Sequence, residues 1–125
     1  MKIILFLFNP CPKHWGIYIN QLTDLPDNFG QLKSLKRLRL YGNRFTQVPI
    51  QIFELKELEY LDFGSNKISE LPDLFDSLPN LQVLDIARNN ISAIPPSISN
   101  LKYLDRLNIQ DNPKLDKEEV KKLKY

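Results

Sequence analysis

The amino-acid sequence predicts an α/β-type solenoid, a right-handed superhelix of short repeats. A parallel β-sheet lines its concave face, extended or 3₁₀ segments form its convex side, and a short helix closes the C-terminus. Three features of the chain point to it. Asn43, Asn66, Asn89 and Asn112 follow one another at intervals of 23 residues, and one step further back lands on Asn20. Around each Asn runs the same apolar frame: Leu35, Leu38, Leu40 and Phe45, then Leu58, Leu61, Phe63 and Ile68, then Leu81, Leu84, Ile86 and Ile91. A second recurrence keeps step with the first, in the pairs Leu25-Pro26, Val48-Pro49, Leu71-Pro72 and Ile94-Pro95. Phe29, Ile52, Phe75 and Ile98 follow them, and then Leu32, Leu55, Leu78 and Leu101. A fixed period of this length marks an array in which each unit packs on its neighbours rather than around a closed core.

Residues 1–11 are read as a degenerate N-terminal cap or half-repeat. Phe6 lies 23 residues before Phe29, whereas Asn9 and Pro12 stand where Leu32 and Leu35 stand one step later. The apolar run Ile3 to Phe8 is shorter than the roughly 7–15 residues of a secretory core, and no small-residue cleavage site follows it. It is also too short to cross a bilayer as a helix. It could cap its own stack or pair with a second copy, so a monomer or a weak homo-oligomer is expected.

Residues 12–115 hold the repeats, in units 12–34, 35–57, 58–80, 81–103 and an incomplete one from 104. Alternation such as Leu38 and Leu40, or Leu84 and Ile86, predicts a short half-buried strand in the first half of each unit. The recurring Pro removes a backbone donor and fixes φ, so the second half should be extended or 3₁₀. Residues 116–125 read as a capping helix. Asp116 and Glu119 have the spacing of a capping box, Val120 and Leu123 form an apolar stripe, and Lys117, Lys121, Lys122 and Lys124 form a solvated face.

The two motifs, L-x-x-L-x-L-x-x-N and L-P-x-x-(I/F)-x-x-L, resemble the leucine-rich repeat. The likeness is to its 23-residue class, found in bacterial proteins and in animal scaffold and Ras-pathway proteins. It implies a non-catalytic module that binds another protein through the concave face. Two alternatives stand beside it: a secreted or surface bacterial adhesin or effector that binds a host receptor, and a structural or vestigial repeat fragment.

The 125 residues carry a net charge of +2, which gives no strong attraction to nucleic acid or to an anionic membrane. One cysteine, Cys11, permits no intrachain disulfide. That favours a cytoplasmic location, with a secreted or surface-associated one as the alternative. Catalysis finds little footing, since Cys11 and His14 are the only thiol and imidazole. They lack an orienting group, and they are too few for a structural metal site. No cofactor is expected. Asp62 and Asp85 could attract a cation, but neighbouring positive charge is the better compensation.

Asn20, Asn43, Asn66, Asn89 and Asn112 are read as a structural ladder, because a side-chain amide offers both donors and an acceptor to backbone leaving the strand. The partner-binding candidates come from the alternating strand positions that face away from the core. One column across the strands reads His14, Arg37, Tyr60, Val83 and Arg106, the next Gly16, Arg39, Asp62, Asp85 and Asn108, and the third Tyr18, Tyr41, Gly64, Ala87 and Gln110. Tyr18, Arg37, Arg39, Tyr41, Tyr60 and Asp62 gather in the N-terminal half, and Tyr and Arg are enriched at binding hot spots. Arg39 is expected to pair with Asp62 on the adjacent strand, and Trp15 to replace a core Leu beneath this group.

Overall fold

Residues 12–123 are described in the structure, a computed structural model. The N-terminal cap, with Cys11 and the Ile3 to Phe8 run, lies outside them, as does Lys124. Five strands of three residues each form one parallel sheet in chain order: β1 His14–Gly16, β2 Arg37–Arg39, β3 Tyr60–Asp62, β4 Val83–Asp85 and β5 Arg106–Asn108. The register repeats the sequence period. His14 lies opposite Arg37, Arg37 opposite Tyr60, Tyr60 opposite Val83, and Val83 opposite Arg106.

The strands are short because only their middle residue points to the core. Leu38, Leu61 and Leu84 are buried, while their neighbours on either side face outward. Behind the sheet the Pro-bearing segments turn back as 3₁₀ helices at Asp27–Gln31, Ile50–Glu54 and Phe75–Ser77, and as a helical turn α1 at Pro96–Ser99. In the first two, Pro26 and Pro49 occupy the N-cap and their carbonyls accept from the N–H of Phe29 and Ile52. The third is shorter. There the Phe75 N–H donates to the buried Ser97 Oγ of the next repeat, and the Ser97 N–H donates to Asp73 Oδ1. In α1, Pro96 follows the N-cap Pro95 and takes the first helical position, where a missing N–H costs nothing.

Between the two faces lies one continuous core. Phe29, Ile52, Phe75 and Ile98 are buried in line along the stack, as are Leu32, Leu55, Leu78 and Leu101. Burying one such side chain contributes about 1.5–3 kcal/mol, so each repeat draws its stability from contacts with the next. Edge-to-face ring pairs join neighbouring repeats at Phe45 with Phe63 and Phe53 with Phe75, both at 5.3 Å, and link strand to convex side within the first repeat at Trp15 with Phe29, at 5.1 Å. Trp15, in the place of a core Leu, is only partly buried.

The turn after each strand is held by Asn side chains that reach back one repeat. Asn66 Nδ2 donates to the carbonyls of Leu40, Phe63 and Gly64, and its Oδ1 accepts from the Phe45 N–H at 3.0 Å. Asn43 and Asn89 repeat this set, with Leu22 and Ile68 as the donors to their Oδ1 atoms. Asn112 repeats it too, in spite of the irregular exit at Pro113. Asn20 departs from the ladder. It is exposed, and its Oδ1 accepts from the adjacent Gln21 N–H. A ladder Asn takes groups 26 and 21 residues back from the repeat before it, and the sequence has no residue at either distance before Asn20.

Immediately before each Asn the backbone is left-handed: Ile19 at φ 49°, Gly42 at 73°, Ser65 at 53°, Arg88 at 57° and Asp111 at 58°. Only Gly42 adopts this without steric cost.

The C-terminal helix α2 spans Lys117–Lys121 and buries none of its residues. Asp116 Oδ1 accepts from the Glu118 N–H, one residue earlier than a capping box requires, and the Glu119 carboxylate pairs instead with Lys122 Nζ at 3.1 Å. Val120 and Leu123 line an open cleft against Leu107 and Ile109 of the last repeat.

Candidate functional site on the concave face

Side chains flanking the buried middle residue of each strand project from the sheet, and at β2 and β3 they meet. Arg37 and Arg39 both lay their guanidinium groups over the ring of Tyr60, 4.5 Å and 5.0 Å from its centre. Register explains the meeting, since Tyr60 stands directly opposite Arg37 and Arg39 follows two residues later on the same face. A cation over an aromatic face gains about 0.5–1 kcal/mol at an exposed site.

The ion pair expected between Arg39 and Asp62 does not form. Asp62 Oδ1 accepts from the Gly64 N–H at 2.8 Å, a local bond that holds the half-buried carboxylate against its own backbone. Its neighbours in the column behave alike: Asp85 Oδ1 accepts from the Ala87 N–H and Asn108 Oδ1 from the Gln110 N–H. This row of strand-end bonds was visible in the sequence as acidic or amide residues two places before Gly64, Ala87 and Gln110, but periodicity alone gives no reason to single it out. Burial raises the Asp62 pKa above its ordinary 3.8, the Gly64 N–H opposes the rise, Asp85 adds to it and Arg39 lowers it.

The aromatic candidates lie around the arginines. Tyr41 is half-buried and runs beside Gly64, where a Cβ would come within 3.0 Å of its ring, so the glycine makes room for the tyrosine. Tyr18 is 55% exposed at the end of the sheet. With His14, Trp15, Gly16, Arg37 and Arg39 it lines an open cleft of about 430 Å³. The structure thus brings Arg37, Arg39 and Tyr60 into contact, places Tyr18 and Tyr41 beside them, and turns Asp62 toward the backbone. The Cys11–His14 pair is not placed, because Cys11 lies outside the described residues. Among the described residues no three His, Cys, Asp or Glu side chains are grouped to hold a metal, and no helix is long and apolar enough to cross a membrane.

Comparison with known proteins agrees on the architecture. A leucine-rich repeat family model matches residues 33–90 and 72–113. No curated protein matches the chain. Among solved structures, a leucine-rich repeat protein of Leptospira interrogans is 37% identical over 87% of this chain, with a TM-score of 0.82. The leucine-rich repeat ectodomain of the receptor kinase SOBIR1 from Arabidopsis thaliana is 32% identical over 78%, with a TM-score of 0.62. A plant peptide hormone receptor solved in complex with RGF2 is 26% identical over 78%, with a TM-score of 0.65. This chain spans 28%, 53% and 18% of their respective lengths. On its two interlocked motifs, its five-stranded parallel sheet and the match over residues 33–113, the chain belongs to the leucine-rich repeat family.

Proposed function

We propose that the protein is a non-catalytic interaction module that binds another protein through the N-terminal half of its concave face. The observation that carries this reading is the pair of guanidinium groups stacked on Tyr60 with no carboxylate within ion-pair distance among the described residues. A stacked guanidinium is already ordered, so it loses less freedom on binding than a solvated one, and its five donors stay available to a partner. Tyr18, Tyr41 and Asp62 complete the proposed contact set. The complex of a peptide hormone receptor among the similar structures is consistent with a fold of this kind recognising polypeptide.

Affinity through this face alone should be modest. Five strands about 4.8 Å apart span roughly 20 Å, and such a patch falls below the roughly 800 Å² per partner of a standard interface. The test is affinity capture from cells of the source organism, followed by calorimetry with the captured partner. Arg37→Ala, Arg39→Ala and Tyr60→Ala should each weaken binding by more than about 1 kcal/mol. Losses that map instead to the convex residues Thr46 and Ile50 would refute the reading.

A further inference from the structure

Charge on the concave face is ordered along the stack. Arg37 and Arg39 stand on β2, with Tyr60 beneath them on β3. Asp62 and Asp85 then follow side by side on β3 and β4, in direct register. From this order we infer that the face takes one extended segment of a partner protein laid across the strands, with an acidic side chain on the two arginines and a basic side chain two residues later on Asp62 and Asp85. The inference rests on the concave-face reading above and adds the chemistry of the segment.

Spacing supports it. The midpoint between Asp62 and Asp85 lies one and a half strand intervals from β2, about 7 Å, and alternate residues of an extended chain are about 6.6 Å apart on one side. An acid–x–base triplet entering from the β2 side therefore brings its acid to the guanidinium groups, which lean over Tyr60 of β3, and its base to the two aspartates. Neither arginine side chain donates a hydrogen bond or forms an ion pair among the described residues, so the acid meets donors that are not engaged elsewhere. Both aspartates keep one oxygen on the backbone, at Gly64 and Ala87, and Asp85 Oδ2 also accepts from Asn108 Nδ2 at 3.3 Å, so the acidic pair is held in place rather than swinging toward the arginines. A uniformly acidic segment, or a run of phosphates, would be repelled as it passed from β2 to β3. Such repulsion selects among partners even where the attractive contacts are weak.

The test is selection of a displayed library of random twelve-residue peptides on the full chain, with thermal midpoints confirming that each variant is folded. Enriched peptides should share an acidic residue followed two places later by Lys or Arg. Arg37→Glu/Arg39→Glu, and the milder Arg39→Gln, should each weaken these peptides by about fivefold or more. Asp62→Asn/Asp85→Asn, which keeps an oxygen for the backbone bonds, should erase the preference for the basic residue and leave that for the acidic one. Peptides that depend on the arginines but show no basic residue at that spacing would overturn the charge order and leave the concave-face reading standing. Peptides indifferent to all of these substitutions would overturn both. If no peptide is enriched, recognition of an extended segment is wrong, and capture of a folded partner then decides the broader reading alone.

Discussion

The turns at Ile17–Leu22 and Phe63–Ile68 occupy the same place in the repeat and carry the same Asn, yet they are built differently. In the inner turn Asn66 is buried and makes four hydrogen bonds, two of them to groups of the preceding repeat. In the outer one Asn20 is exposed and bonded to the next residue. The left-handed residue also differs, since Ser65 is small whereas Ile19 is β-branched and 80% exposed. A motif residue thus acquires its role from the neighbouring coil. The same Asn is a ladder rung where a repeat lies beneath it, and a surface amide where no such contact is described.

Substitution at the two asparagines should break this comparison most visibly. Asn66→Ala leaves buried backbone groups unpaired at about 1–3 kcal/mol each, so a loss of about 3 kcal/mol or more is expected by denaturant titration. Asn112→Ala should lose a similar amount because its bonds are the same in kind and number. Asn20→Ala should stay within about 0.5 kcal/mol. An equal loss at Asn20 and Asn66 would show that burial by the preceding repeat is not what gives the residue its role.

The left-handed position sharpens the contrast with a smaller effect. Gly42→Ala should cost about 1–2 kcal/mol for its backbone conformation, and more if the new Cβ, 3.0 Å from the Ile19 nitrogen, forces a shift. Ile19→Gly should raise the thermal midpoint by the equivalent of up to about 1 kcal/mol, as strain relief is partly offset by greater freedom of the unfolded chain. A drop on Ile19→Gly would mean that this side chain contributes more than its conformation costs.

The smallest expected effect is at Asp62. Its folded pKa lies above its ordinary 3.8, so between those two values the folded state holds more protons than the unfolded one. The contribution of this group to stability therefore falls as pH rises through that window. Asp62→Asn keeps an oxygen for the Gly64 N–H, as Asn108 does for Gln110, and removes the charge. Thermal melts should show the variant matching the parent well below pH 3.8 and exceeding it at neutral pH, by less than about 1 kcal/mol because the group is half-exposed. A variant less stable at neutral pH would mean that the Gly64 N–H and Arg39 together stabilise the carboxylate more than burial and Asp85 oppose it.

The repeat unit, the strand positions, their parallel register and the buried columns were legible in the chain because each depends on a residue type recurring at a fixed interval. Leu38, Leu61 and Leu84 identify the same inward position three times over, and Pro26, Pro49 and Pro95 mark where the chain turns back behind the sheet. Periodicity carries no information about how exposed side chains choose among several partners within reach. Tertiary structure alone decided that Arg39 lies over Tyr60 while Asp62 bonds to Gly64, because a local backbone bond outcompetes an exposed ion pair worth little in water. For Asn20 the sequence itself withholds the rung, because it has no residue 21 or 26 places before that Asn, and the structure shows the side chain exposed and bonded to Gln21.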